Sequence, residues 1–258
     1  MREPQRTPFW LWMNLLGLDA PLVAVVWQGF VALCYPSVLR PAGRVMLGLT
    51  VWAIYLADRL LDLRSQSTDA GTLAHRFCRR NYKLAGSLLA FILVADVLVA
   101  FVWLRPAVFS NGLLVGAGVI TYFGAFPVGG IAARWKPVAA AILFTTGVFL
   151  VAWTGTENPE RTLGWPAVAF SLLCLTNLGL IRCWERQQRT VRAGIGILLL
   201  ALVCAFYGVS HWYAAVALSA AGLAALAFRG DRLSHAARRV LADAVLLSPL
   251  VFLWTLAA

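Results

Sequence analysis

The sequence predicts an all-α membrane protein, and three of its properties support that prediction. Hydrophobic residues make up 61% of the 258 residues and charged residues only 13%, a balance that a soluble domain of this size does not need. The apolar residues fall into runs of about 20, the helix length that crosses a bilayer core. Eleven tryptophans suit a chain whose helix ends lie at membrane interfaces. The predicted architecture is a single membrane domain, residues 1–258.

Nine apolar segments are long enough to be predicted as membrane-spanning helices. Their boundaries fall at turn-forming residues, among them Pro41 and Pro106. Residues 1–17, with Trp10, are predicted to lie along the interface before the first span. The predicted spans are 18–39, 43–62, 82–104, 106–124, 137–155, 163–185, 191–209, 211–228 and 236–256.

The basic residues predict how the chain is inserted. With the N-terminus in the cytoplasm, about 18 of the 22 lysine and arginine residues lie on the cytoplasmic side. Topology therefore explains the net charge of +11, and nucleic acid is not expected as a partner because the arginines are spread through short loops. We expect a multi-pass polytopic protein of a bacterial inner membrane, with the lipid bilayer as its surroundings.

Two aspartates stand at the cytoplasmic end of the second predicted span, in the stretch YLADRLLDLR. Asp58 and Asp62 are four residues apart, so they share one face of a helix. Like charges at this spacing repel and are costly near lipid, and a divalent cation such as magnesium would remove both problems. The alternative is that the aspartates end the helix in water, with Arg59 and Arg64 as their partners.

The sixth predicted span ends with a second polar group, in FSLLCLTNLGLIRCWERQQRT. Asn177 and Glu185 are eight residues apart on one helix face, and Arg182 and Arg186 lie at the same end. An amide inside a membrane helix needs a cavity or a partner, and a guanidinium group matches the geometry of a phosphate. In the alternative interpretation, Asn177 only bridges two helices and the arginines only mark the cytoplasmic side.

Two further cytoplasmic segments complete the candidate site. Arg134 and Lys136 come just before the fifth span, where a positive charge is unfavourable for the helix dipole, which favours a role in holding an anion. A lysine that only reaches the membrane interface is the alternative. The loop 63–81 follows the aspartate pair directly, and we expect it to cover the site and exclude water.

The order of these elements resembles the UbiA superfamily of intramembrane prenyltransferases. The resemblance rests on DRLLD in the second span, RWK before the fifth and NLGLIRCWER in the sixth. In that superfamily, aspartate-rich motifs on helices two and six hold magnesium and the diphosphate of an isoprenoid donor. The resemblance implies a UbiA-like bundle in which Asp58, Asp62 and Glu185 are catalytic and bind Mg²⁺. It also implies that Lys136, Arg134, Arg182 and Arg186 bind the diphosphate.

The second motif differs from the pattern of the superfamily. Where several acids belong, only Glu185 is acidic, and Arg182 and Arg186 stand nearby. We interpret these arginines as a replacement for one metal ion, because a guanidinium group can neutralise a diphosphate oxygen. The residues that would line the cavity for the prenyl chain and its carbocation are Tyr55, Trp52, Asn177, Tyr122, Phe126 and Trp184.

The resemblance implies an intramembrane prenyltransferase that joins the prenyl group of an isoprenoid diphosphate to a lipophilic or aromatic acceptor. Two alternatives stay open. One is an intramembrane terpene cyclase, which ionises the same kind of donor and uses no acceptor. The other is a non-catalytic membrane protein that binds an isoprenoid diphosphate or an anionic lipid, an interpretation that the reduced second motif favours.

Overall fold

The computed structural model describes residues 8–35, 37–65, 73–126, 134–188, 190–206 and 210–257. All regular structure in these ranges is helical, which confirms the predicted all-α class. The α-helices are α1 (Trp12–Leu16), α2 (Asp19–Cys34), α3 (Pro41–Ser65), α4 (Leu73–Arg80), α5 (Tyr82–Trp103), α6 (Pro106–Ala125), α7 (Lys136–Gly155), α8 (Pro159–Glu185), α9 (Val191–Phe206), α10 (His211–Arg229), α11 (His235–Val245) and α12 (Pro249–Ala257).

Five helices of the described residues are long and apolar enough to cross a membrane: α5, α6, α7, α8 and α10. A sixth candidate is a bent pair, in which Phe9–Leu16 and Asp19–Cys34 meet at 82°. Helix α3 has 25 residues but carries charged side chains towards both ends, and α9 is shorter. These long apolar helices fit an integral membrane protein, and each of the nine predicted segments overlaps a helix.

The last predicted segment is divided between α11 and α12 at a proline. Pro249 has no N–H to donate to the carbonyl of Val245, so the backbone hydrogen bond that would join the two helices cannot form. The hydroxyl of Ser219 on α10 donates to that carbonyl instead, at 3.0 Å. Ser248 in the break donates to the Ala215 carbonyl at 2.8 Å. Helix α10 thus stabilises the break through the Ser219 side chain and the Ala215 carbonyl.

The main core centres on Trp27 of α2, which is completely buried. Its ring lies 4.7 Å from that of Phe170 on α8 and 5.1 Å from that of Trp212 on α10, measured between centroids. Its indole N–H donates to the Leu246 carbonyl at 2.7 Å, so the polar atom of the side chain is also satisfied. Helices α2, α8 and α10 therefore pack around one aromatic cluster.

The turn from α1 into α2 depends on Gly17, whose φ of +71° lies in the left-handed region. The N–H of Gly17 bonds the Asn14 carbonyl at 3.2 Å, and the N–H of Leu18 bonds the Met13 carbonyl at 2.9 Å, the pattern with which many helices end. A Cβ at this position would lie 2.6 Å from Cδ1 of Tyr55 on α3. Both the backbone angle and the close contact with α3 therefore require glycine.

We predict that Gly17→Ala lowers the free energy of unfolding by at least about 1 kcal/mol, the cost of placing an L side chain in the left-handed region, with a further loss from the contact with Tyr55. The measurement is thermal unfolding of the purified protein in detergent. Gly164→Ala is the matched control, because Gly164 lies inside α8 with open space around its Cβ position. Equal melting temperatures for the two variants would contradict the role given to Gly17.

Candidate functional site

The candidate site lies where α3, α6 and α8 end and α7 begins. Asp58 and Asp62 lie in the last turns of α3, Tyr122 in the last turn of α6 and Arg182 in the last turn of α8. Lys136 is the first residue of α7, which packs against all three of those helices. The structure thus brings together residues that are far apart in the sequence, and we refer to these five as the Asp58 cluster.

Lys136 joins the two aspartates of the cluster. Its Nζ lies 2.7 Å from Oδ1 of Asp58 and 3.7 Å from Oδ1 of Asp62, so one ammonium group offsets the repulsion between the two carboxylates. The same Nζ lies 6.0 Å from the centroid of the Tyr122 ring, within the range of a cation–π contact. Phe126 extends this aromatic surface, with its ring centroid 5.7 Å from that of Tyr122.

Arg182 adds a second positive charge to the cluster. It is close enough to Asp58 and Glu185 for their charges to act on its guanidinium group, it lies near the neutral Tyr122, and Arg186 opposes it with a like charge. Two carboxylates and two cations therefore balance within the cluster. Of the other predicted diphosphate ligands, Arg186 is exposed, and Arg134 is exposed with its guanidinium carbon 5.7 Å from the Trp135 ring centroid.

Arg59 points away from the two aspartates and towards α1, which differs from the alternative that made it their partner. Its Nη1 donates to the Leu15 carbonyl at 2.8 Å and its Nη2 to the Asn14 carbonyl at 2.7 Å, and only 5% of the residue is exposed. The indole N–H of Trp52 donates to the Leu16 carbonyl at 3.0 Å. All three carbonyls belong to the last turn of α1, where a positive charge is also favourable.

Tyr55 connects α3 to α11. Its hydroxyl oxygen accepts hydrogen bonds from Arg59 at 3.2 Å and from Arg239 at 3.1 Å, and the guanidinium carbon of Arg59 lies 4.4 Å from the centroid of its ring. Arg239 also bonds Oε1 of Glu185 at 3.3 Å. Glu185, which the resemblance makes a metal ligand, is therefore paired with an arginine of α11. One face of the Tyr55 ring is covered by Arg59.

Two of the residues predicted to line the prenyl cavity lie away from the Asp58 cluster. Asn177 is only 6% exposed, and its amide donates to Oδ1 of Asp243 at 3.3 Å, so it bridges α8 and α11. Trp184 is 4% exposed and belongs to the main core, where its ring lies beside Gly230. Of the predicted aromatic lining residues, Tyr122 lies next to Lys136, and Phe126 packs against Tyr122.

The expected loop 63–81 is partly helical. Residues 63–65 are the end of α3, residues 73–80 form α4, and residues 66–72 lie outside the described part of the chain. Helix α4 packs against α1, where the ring of Phe77 meets that of Trp12 edge to face at 5.9 Å. The amphipathic sequence LAHRFCRR explains this helix, because an apolar face needs a partner to cover it.

The sequence analysis missed a second polar group, which we call the acid pair. Asp243 of α11 is hydrogen-bonded to Asp19, the first residue of α2. Asn14 donates to Oδ2 of Asp19 at 2.7 Å, and Asn177 donates to Asp243 as described above. The sequence feature that could have indicated this group is the pair of polar residues Asn14 and Asp19 within an otherwise apolar N-terminal run. Nothing in the sequence connected them to α11.

Comparison of the chain with known proteins finds no matching family model, no similar curated protein and no similar solved structure.

We predict that Lys136→Met increases the affinity of the protein for a divalent cation at least tenfold, because the ammonium group competes for the same two carboxylates. The measurement is a titration with Mn²⁺, followed by the electron paramagnetic resonance signal of the free ion. Arg134→Met is the control, since Arg134 is exposed and stacks on Trp135. If Lys136→Met and Arg134→Met bind Mn²⁺ equally well, Lys136 does not compete for this site.

Proposed function

We propose that this protein is an intramembrane prenyltransferase that uses an isoprenoid diphosphate donor and a lipophilic or aromatic acceptor. The observation that supports the proposal is the contact of Lys136 with both Asp58 and Asp62, with Arg182 close by. Carboxylates are suited to a divalent cation and basic groups to an anion, and a diphosphate with its magnesium ion needs both. The adjacent aromatic rings of Tyr122 and Phe126 suit an allylic carbocation.

Magnesium fits the two carboxylates of the Asp58 cluster. Asp58 and Asp62 present oxygen atoms close enough together to contact one ammonium group, and magnesium is often held by one or two carboxylates plus phosphate oxygens. When bound, the ion would neutralise charge on the leaving diphosphate. Within the described residues, no three histidine, cysteine or acidic side chains are grouped as metal ligands. To become a third metal ligand beside Asp58 and Asp62, Glu185 would first have to break its ion pair with Arg239.

In this proposal the basic residues of the site bind the diphosphate. Lys136 and Arg182 would contact its oxygens, and the exposed Arg134 and Arg186 would attract it to this end of the bundle. The allylic C–O bond then breaks and its electron pair leaves with the diphosphate. The acceptor forms the new bond to the prenyl carbon and releases one proton. Tyr122 and Phe126 would stabilise the carbocation with their ring faces.

The proposal includes a topology of nine spans with the N-terminus and the site on the cytoplasmic side of a bacterial inner membrane. The excess of basic residues at that side supports it. The helix ends also support it, because α3, α6 and α8 end at the site whereas α7 begins there, as expected for successive spans. In this topology a donor with a long prenyl chain keeps its chain in the bilayer and its diphosphate near the cytoplasm.

A non-catalytic protein that binds an isoprenoid diphosphate or an anionic lipid is the second candidate. The contact between Glu185 and Arg239 favours it, because the acid of the second motif is then already paired. A terpene cyclase would use the same donor site without an acceptor. The three functions differ in their products, so one set of assays separates them.

We predict that Asp58→Asn and Asp62→Asn each reduce Mg²⁺-dependent release of diphosphate at least about 100-fold, comparable to the loss of one charge-stabilising group in other enzymes. The assay uses farnesyl diphosphate and the full chain in detergent with membrane lipid extract as the source of acceptor. Glu157→Gln is the control, because Glu157 is exposed at the opposite end of α7.

Each outcome of this assay has a distinct meaning. Binding of the donor without release of diphosphate would favour the non-catalytic candidate. Release with a cyclic product and without an acceptor would favour the cyclase. Failure of the wild-type chain to bind farnesyl diphosphate, or unchanged release in both aspartate variants, would refute the proposed site.

A further inference from the structure

The acid pair has a geometry that two ionised carboxylates cannot adopt alone. The side chains of Asp19 and Asp243 are hydrogen-bonded to each other, although an ionised carboxylate can only accept a hydrogen bond. Both residues are half-buried, so water does not fully screen their repulsion. A proton or another small cation between them is needed to hold the two oxygens together.

The charged groups around the acid pair also favour one bound cation, because their charges do not cancel. Three carboxyl groups meet two guanidinium groups here: those of Asp19, Asp243 and Glu185 against those of Arg59 and Arg239. One negative charge is therefore unbalanced among these five groups. Arg182 of the Asp58 cluster also lies near Glu185, but the two cations of that cluster are already matched by its own two carboxylates.

Asn177 gives a second and independent indication of a ligand. The residue is 94% buried, being only 6% exposed, yet its Oδ1 has no hydrogen-bond partner. The Nδ2 of the same amide group donates to Oδ1 of Asp243 at 3.3 Å, so the unpaired oxygen belongs to the group that contacts the acid pair. A buried amide oxygen without a partner is costly, and a bound cation would give it one.

We propose that Asp19, Asp243 and Asn177 form a binding site for one monovalent cation, either a proton or Na⁺. Asp19 already accepts hydrogen bonds from Asn14 at 2.7 Å and from the N–H of Ala20 at 3.0 Å, so we place the shared proton on its partner. Asp243 is then the group that carries the proton. In exchange for it, Na⁺ would bind carboxylate oxygens of the pair and Oδ1 of Asn177. This inference does not depend on prenyl transfer.

The charged groups around the site link it to the rest of the molecule. On α11, Arg239 faces Asp243, and the same guanidinium group bonds Glu185 of α8 and Tyr55 of α3. Arg59 of α3 lies behind Tyr55. When the cation is absent, the extra negative charge attracts Arg239 towards Asp243, in competition with Glu185.

The first experiment is infrared difference spectroscopy of the full chain in detergent at neutral pH, in choline chloride and then in NaCl. We expect a band of a protonated carboxylic acid in choline chloride that disappears in Asp243→Asn and decreases when Na⁺ is added. Asp96→Asn is the matched control, since Asp96 is a membrane carboxyl that accepts a hydrogen bond from Thr50 at 2.8 Å. The band of the acid pair must persist in that variant.

The second experiment needs no variant. The melting temperature of the wild-type chain is measured against NaCl, with KCl and choline chloride at equal ionic strength, at several pH values. If Na⁺ competes with a single proton, the half-saturating Na⁺ concentration rises about tenfold for each pH unit lowered. An effect that is specific for Na⁺ and absent in Asp243→Asn supports the site.

The outcomes identify the cation or refute the proposal. A protonated-acid band that is lost in Asp243→Asn and does not respond to Na⁺ supports the site with the proton as its occupant. A stabilisation by Na⁺ without such a band supports it with Na⁺. The proposal is refuted if neither is observed, or if both persist unchanged in Asp19→Asn and Asp243→Asn.

Discussion

The hydrogen bonds from Arg59 to the end of α1 constrain the rest of the structure. A buried guanidinium group donates to two carbonyls in the last turn of α1, and its charge is favourable at that end of the helix. This fixes α1 against α3 and sets the sharp turn into α2, where Gly17 touches Tyr55. Loss of these bonds would leave buried polar groups without partners.

The orientation of Arg59 also determines the surroundings of the two aspartates. Because its guanidinium group is engaged by α1 and Tyr55, Lys136 of α7 provides the ammonium group between Asp58 and Asp62. One helix, α3, therefore carries two polar surfaces with different partners. One surface meets α7 at the Asp58 cluster, and the other meets α1 and α11 near the acid pair.

The parts of this arrangement that could be predicted from the sequence depend on local patterns. Apolar runs and prolines placed the helices, and the spacing of Asp58 and Asp62 placed both on one face. The position of Lys136 before an apolar helix indicated a residue that holds an anion, and in the structure the anions it contacts are the two aspartates. The contact between Asp19 and Asp243 could not be predicted, because it joins opposite ends of the chain and depends on how α2 and α11 pack.

The helix dipoles oppose the charges of the Asp58 cluster. Asp58 and Asp62 lie near the C-terminal end of α3, where negative charge is unfavourable, and Lys136 lies at the N-terminal end of α7, where positive charge is unfavourable. Either helix would be more stable with the opposite charge or none. Their mutual attraction offsets this cost, but apolar residues would avoid it altogether. Such a conflict between local preference and tertiary arrangement is typical of a functional site, and a ligand that brings both a cation and an anion would separate the pair at little cost.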